Sequence, residues 1–264
     1  MSDYETRFSG IGRLYGIENA KRINQFHICV IGIGGVGSWV AEALVRSGIS
    51  EITLIDNDEV ALSNTNRQIH TLDNTIGNQK VKAMAERLLL INPDLKCHLI
   101  DDYITVKTYE SYLSNGYDYV VDAIDSIKFK SLIIQYCKRN KIPVITTGGA
   151  GGLTDPSQVV VADLSKTYND ALAAKVRSQL RQEFGFTKNT KRRFGVDCVF
   201  SPQQQKYPKP DGSVSHEKPG IHGVSLDCRF GYGASACVTA TFGFVAAARV
   251  IDKLLSKKPS DHSS

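Results

Sequence analysis

None of the six cysteines (Cys29, Cys97, Cys137, Cys198, Cys228, Cys237) stands in a CxxC pair, so neither a disulfide framework nor a zinc ribbon is expected. No signal-like stretch opens the sequence, and with unpaired cysteines this points to a reducing, cytoplasmic setting. Long apolar runs are also missing. The most extended, "ASACVTATFGFVAAA" (Ala234 to Ala248), falls short of the roughly 20 residues a membrane-spanning helix needs and reads as a buried helix or strand–helix piece. No internal repeat and no proline–glycine linker announces a separate domain. Charge of one sign is only mildly in excess, at +5, which permits a polyanionic partner without requiring one. What is present, 42% hydrophobic and 22% charged residues in a chain of 264, is enough to bury a substantial core.

The first 150 residues alternate between two periodicities. "HICVIG", "EITLID", "YDYVVDAI" and "IPVITTG" read as buried strands. Between them Ser38 to Ser47, the "NQKVKAMAERLLLI" segment and Ser126 to Asn140 carry helical spacing, the second placing Val81, Met84, Ala85, Leu88 and Leu89 on one core-facing stripe and ending at Asn92-Pro93. The pattern predicts an α/β, Rossmann-like, doubly wound and mainly parallel sheet with a C-terminal elaboration packed on it.

The chemistry gathers at strand ends. Gly32, Gly34 and Gly37 satisfy GxGxxG, with Gly35 inside the loop, and such a turn brings backbone and a helix N-terminus close to phosphate. Asp56, nineteen residues after Gly37, stands where a carboxylate accepts hydrogen bonds from a ribose. A dinucleotide oxidoreductase is the default from that much. The run "LIDNDEVALSNTNRQIHTLDNTIGNQKV" argues otherwise: after Asp56 and Asp58 it supplies Asn64, Arg67 and Lys80, and so many cationic donors suit a triphosphate better than a hydride-transfer site. ATP is the expected nucleotide.

The glycine loop, Asp56-Asn57-Asp58, "LSNTNRQ", Lys80 in "GNQKV" and "DAID" ending at Asp125 occur in order and together resemble the adenylating domain of the ubiquitin-activating-enzyme superfamily. The resemblance implies that Asp56 holds the ribose, that Asn64, Arg67 and Lys80 hold the phosphates, and that Asp125 ligates Mg2+. It also implies that Arg13, in "RFSGIGRLYG", reaches into the partner's nucleotide site of a homodimer. Arg13, Arg67, Lys80 and Asp125 are thus the candidate catalytic residues. Members that activate sulfur-carrier proteins usually hold zinc through two CxxC pairs, from which this sequence departs. The segments "TTGGAGGLTDPSQVVVADLSKTYNDALAAKVRSQLR", "KRRFGVDCVFSP" and "TATFGFVAAARV" instead resemble the branch that uses ATP to cyclise threonylcarbamoyladenosine, a modified adenosine beside the tRNA anticodon, with loss of water. On this reading residues 1–149 form the ATP-binding region, 150–256 a tRNA- and substrate-binding region, and 257–264 a disordered tail.

Charge distribution agrees with RNA. Lys175, Arg177, Arg181, Lys188, Lys191, Arg192 and Arg193 face the single acid Glu183 and are the candidate tRNA contacts. Phe184, Phe186 and Phe194 are interleaved with them and serve equally as stacking platforms or as core. DNA is not expected as a partner; a cysteine desulfurase or sulfur acceptor is a further candidate, since some superfamily members pass sulfur through cysteine. Cys198, Cys228 and Cys237 are nonetheless left out of the catalytic set, and His70, His216 and His222 are too scattered for a metal set. "YPKPDGSVSHEKPG" (Tyr207 to Gly220) reads as a mobile, turn-rich loop. Two other readings stand beside the leading one: activation of the C-terminal carboxylate of a small sulfur-carrier protein, and a non-catalytic nucleotide-binding scaffold.

Overall fold

The structure is a computed structural model that describes residues 2–217 and 232–257. Two helices, α1 (Asp3–Tyr15) and α2 (Ile17–Gln25), lead into a run of β1 (His27–Ile31), α3 (Gly37–Arg46), β2 (Glu51–Ile55), α4 (Lys80–Ile91), β3 (Lys96–Ile100), α5 (Tyr109–Leu113), β4 (Tyr119–Asp122), α6 (Ile127–Arg139) and β5 (Val144–Thr147). The elaboration adds β6 (Val160–Asp163), α7 (Ala171–Glu183), β7 (Asp197–Phe200), a hairpin of β8 (Tyr207–Pro208) and β9 (Val214–Ser215), and α8 (Ala236–Ser256).

Seven strands form one sheet in the order β3-β2-β1-β4-β5-β7-β6, parallel throughout except for β6, which runs antiparallel to β7. Alternation of side chains sends Ile28 and Val30 to one face, where they pack with Val40 and Leu44 of α3, Met84 of α4 and Phe242 of α8. Cys29 and Ile31 go to the other, with Ile133 of α6 and Val176 of α7. Both faces are therefore covered, which is why the strands read as continuous apolar runs rather than alternating ones. Arg22 of α2 donates to the Leu254, Leu255 and Lys257 carbonyls, capping the C-terminus of α8 (3.3, 3.3 and 2.6 Å).

The expected strands and the three expected helices are present to within two residues at each end, and α4 stops at Asn92 as its proline requires. One position departs from expectation. Val81, Met84, Ala85 and Leu88 are buried, but Leu89 is 40% exposed. At about 100° per residue Leu89 falls roughly a right angle from the centre of that stripe, at its solvent margin. The turn-rich stretch from Tyr207 is ordered into the β8–β9 hairpin, closed by the Lys209 amide on the Ser213 carbonyl (2.8 Å); residues 218–220 of it, His222, Cys228 and most of the tail lie outside the described residues. The Ala234 to Ala248 run forms most of α8, whose inner side is core. Among the described residues no helix is long and apolar enough to cross a membrane.

Candidate nucleotide site

Strand order reverses between β1 and β4, and crevices outside the carboxyl ends of strands at such a point are where open α/β sheets bind ligands. The glycine loop leaves β1 there. Gly32 has φ +86°, which a side chain tolerates poorly, and the first residue of α3, Gly37, lies so close to the Gly32 carbonyl oxygen that a Cβ would collide with it. The loop therefore turns sharply onto a helix whose free amides and positive dipole end face the crevice.

Asp56, just past β2, fastens this turn. Its Oδ2 accepts the Ile33 amide (2.6 Å) and its Oδ1 accepts the Asp58 amide (2.8 Å), while burial pushes its carboxyl above the ordinary value against the pull of Lys80. Lys80 Nζ, nearly buried, donates to Asp58 Oδ2 (2.6 Å), and the Tyr103 hydroxyl donates to the other oxygen (3.0 Å). Burial alone would raise the Asp58 carboxyl, but the Lys80 and Tyr103 contacts hold it below its usual range. Asn64 ends a single 3-10 turn (Leu62–Asn64), its Oδ1 accepting the Ala61 amide (3.1 Å). The Arg67 side chain lies along Gly35, with its guanidinium held by the Ser63 carbonyl (2.9 Å) and Asn66 Oδ1 (3.0 Å). The Arg67 carbonyl accepts Trp39 Nε1 of α3 (3.0 Å) and Thr239 Oγ1 of α8 (3.3 Å), so the elaboration helps position an arginine of the first half. Buried polar atoms without a partner among the described residues border this region: Ser38 Oγ, Gln68 Oε1, Thr71 Oγ1 and both ring nitrogens of His70. His70 is 1% exposed, and burial together with Lys80 and Arg87 lowers its pKa to about 4. Buried polar atoms with no described partner at a crevice suit a ligand or bound water.

On the β4 side the sequence reading missed a support. Lys130 of α6, 1% exposed, donates to the Asp122 carbonyl (3.2 Å), Asp122 Oδ2 (2.9 Å) and Thr146 Oγ1 (2.9 Å), and that hydroxyl donates in turn to Asp122 Oδ2 (2.7 Å). This buried ion pair joins β4, β5 and α6 beneath the loop carrying Asp125. Only the lysine inside an otherwise apolar face of α6 hinted at it in the sequence. Asp125 itself is exposed and forms no hydrogen bond or ion pair with a described residue, which fits a hard cation beside phosphate. A second carboxylate, Asp170, caps α7 through the Ala173 amide (2.8 Å) and accepts the Gly149 amide (3.0 Å), fixing the glycine-rich turn after β5.

The fold brings Gly32 to Gly37, Asp56, Asp58, Asn64, Arg67, Lys80 and Asp125 to one crevice. Arg13 is not among them: it sits exposed in the last turn of α1, whose Tyr4 donates to Gly48 at the opposite end of α3 (2.6 Å). The basic run is likewise apart, on α7 and the loop after it. Arg177, Arg181 and Lys188 line a shallow basin of about 320 Å³; Arg177 donates to Thr167 Oγ1, and Arg181 lies over the Phe194 ring. Phe194 is buried and stacks edge-on with Phe186, and Phe184 and Phe186 pack on the same core, so the rings build the interior. Cys198 is fully buried, which pushes its thiol up, whereas Cys237 is exposed at the start of α8. His216 Nδ1 lies 3.1 Å from the Gln205 carbonyl oxygen, away from any metal set.

With this geometry in view the likeness to known proteins is informative. The ThiF family model matches residues 9–264. The chain belongs to the ThiF family. It is 54% identical over 258 residues to the tRNA threonylcarbamoyladenosine dehydratase of Haemophilus influenzae, covering 98% of this chain and 97% of that one. The Escherichia coli enzyme of the same name is 51% identical, covering 96% and 95%. The crystal structure of the Escherichia coli dehydratase in complex with ATP superposes with a TM-score of 0.86 at 48% identity, over 97% of this ThiF-family chain and 96% of that one.

Proposed function

We propose that the protein is an ATP-dependent tRNA dehydratase that cyclises threonylcarbamoyladenosine beside the anticodon. The observation that carries this reading is the convergence of the glycine loop, Asp56, Arg67, Lys80 and Asp125 at the β1–β4 crevice of a fold that matches dehydratases from end to end. The glycine-loop amides and the α3 N-terminus receive phosphate, and Asp56 accepts ribose hydroxyls. Lys80, released from Asp58 by a more highly charged partner, and Arg67 neutralise the triphosphate, with Asn64 as a further donor. Mg2+ held by Asp125 would offset charge on the departing diphosphate. A carboxylate oxygen of the threonyl group attacks the α-phosphorus and diphosphate leaves. A nitrogen or oxygen of the same modification then attacks the activated carbonyl, and AMP departs with the original carboxylate oxygen. The net change in the tRNA is loss of water. Positioning and charge neutralisation are the protein's main contributions.

The same crevice suits activation of a small sulfur carrier, but the likeness over nearly the full chain favours the tRNA reading. The test is purified protein with ATP, magnesium and tRNA bearing threonylcarbamoyladenosine, digested to nucleosides and weighed. Loss of the mass of one water, dependent on ATP, supports it; an unchanged nucleoside, with diphosphate released only on adding a carrier protein, contradicts it.

Two finer assignments belong to this proposal. The active unit is a homodimer in which Arg13 acts in the partner's crevice: Arg13 is remote from its own site, and Leu14 and Ile17 beside it are 72% and 70% exposed. Mixing Arg13→Ala and Asp125→Ala chains should then restore a fraction of activity that neither has alone. Lys175, Arg177, Arg181, Lys188 and Lys191 to Arg193 form the tRNA face, contributing phosphate contacts rather than base readout.

A further inference from the structure

At the end of the sheet opposite the glycine loop, the first residues of β1 and β2 and the third residue of β3 carry two imidazoles and a carboxylate. In register, His27 of β1 lies beside Glu51 of β2, and Thr53 of β2 beside His98 of β3. All three side chains therefore rise from the same face of the sheet. His98 Nε2 is 2.9 Å from Glu51 Oε1, His27 Nδ1 is 3.6 Å from that oxygen, and the three donor atoms lie within 4.8 Å of one another. A tetrahedral ion with bonds of about 2.0–2.1 Å sets its donors roughly 3.3 Å apart, so little movement closes this triangle.

The surroundings favour ligation over a simple ion pair. His27 Nε2 is 2.8 Å from the buried Thr53 hydroxyl, an outer contact that lets Nε2 carry the proton and leaves the Nδ1 lone pair facing Glu51. The His27 backbone is fixed by its amide on Asp118 Oδ2 (2.8 Å) and by the Asp118 amide on its carbonyl (2.9 Å), so one ligand is held in place before any ion arrives. Among the described residues the one competing cation, Lys96, reaches only the other Glu51 oxygen, at 3.7 Å, and its side chain is 72% exposed.

We propose that His27, Glu51 and His98 form a surface site for a divalent transition ion of the Zn2+ class, which clamps the edge strand β3 to β2 and β1. Two nitrogens and one oxygen suit Zn2+ rather than Mg2+ or Ca2+, with solvent in the fourth position. Of the two edge strands β3 is the more exposed, with three of its five residues exposed against one of four in β6, and so gains most from such a clamp. The ligands are far apart in sequence, so the ion closes two long loops and acts on stability. It lies at the far end of the strands from the ATP crevice and leaves catalysis alone.

The experiment is zinc titration of the full chain without an affinity tag, against a chromophoric chelator, with His98→Ala and Glu51→Gln alongside. His98 is exposed, so its removal tests the site without endangering the fold. One Zn2+ per wild-type chain, bound at least tenfold more weakly by both variants and raising the melting temperature of the wild type only, is the expected result. No stoichiometric binding by the wild type, or equal binding by all three proteins, would overturn the proposal, the latter placing zinc on groups such as Cys237 or His216.

Discussion

In the crevice between β1 and β4 nearly every charged side chain is tied to another part of the fold: Asp56 to the glycine-loop amide, Lys80 to Asp58, Lys130 to Asp122 and Thr146. Along residues 175–193 the cations divide. Arg177 and Arg181 are anchored, whereas the Lys188, Lys191, Arg192 and Arg193 side chains are exposed and bond to no described residue. A reaction at one phosphorus atom needs charges held in place before substrate arrives, because reorganising them would cost part of the barrier reduction. Holding a polyanion needs only a field that falls off over a Debye length, so mobile cations suffice. Under the proposed function the two regions handle phosphate differently, one by fixed geometry and the other by charge alone.

The largest effect is expected where that contrast is steepest. Removing Lys130 leaves Asp122 as an unpaired buried carboxylate and should destabilise the fold by about 3–5 kcal/mol in denaturant unfolding, whereas Lys191→Ala should stay within about 0.5 kcal/mol. Equal effects would erase the distinction between the regions. The pH dependence is next. His70 protonates near 6.5 when unfolded but at about 4 when folded, so the unfolded chain binds more protons in between. Stability should fall as pH drops from about 6.5 to 4, by up to about 3 kcal/mol, and His70→Gln should flatten the slope in melts across that range. Asp125→Ala should then lower the rate of dehydration at least a hundredfold, about 2.7 kcal/mol of barrier, with an unchanged melting temperature. Loss of folding instead would reassign it as structural. Smallest is the triple Lys191→Ala, Arg192→Ala, Arg193→Ala: tRNA binding weakens severalfold, the slope of log affinity against log salt falls by about two, and the KM for ATP is unaffected.

What could be read from the sequence follows the same division. The placement of Gly32 to Gly37, Asp56 and Asp125 at strand ends was legible from the alternation of the first half, and Asn64, Arg67 and Lys80 stood out as donors on one connection, whereas a role for Asp125 in holding Mg2+ rests on the resemblance. The Lys130–Asp122–Thr146 network was not, since it is assembled across 24 residues by strand pairing, and a lysine in a helix ordinarily faces water. The His27–Glu51–His98 group was hidden for the same reason: only the register of three strands brings them together. The phenylalanines between the cations were ambiguous because core and stacking rings have the same composition, and their mutual edge-on packing assigns them to the core. Leu89 was misplaced by one step around a helix. The antiparallel β6 had no signature, as its short Val-Val-Ala-Asp run fits either direction.

The most direct measurement follows oxygen. With tRNA whose threonylcarbamoyl carboxylate carries heavy oxygen, one labelled atom is expected in the AMP released for each ring closed, because the carboxylate oxygen that attacks the α-phosphorus leaves with it. Label in inorganic phosphate or diphosphate would mean attack at another phosphorus and would contradict adenylation in this crevice.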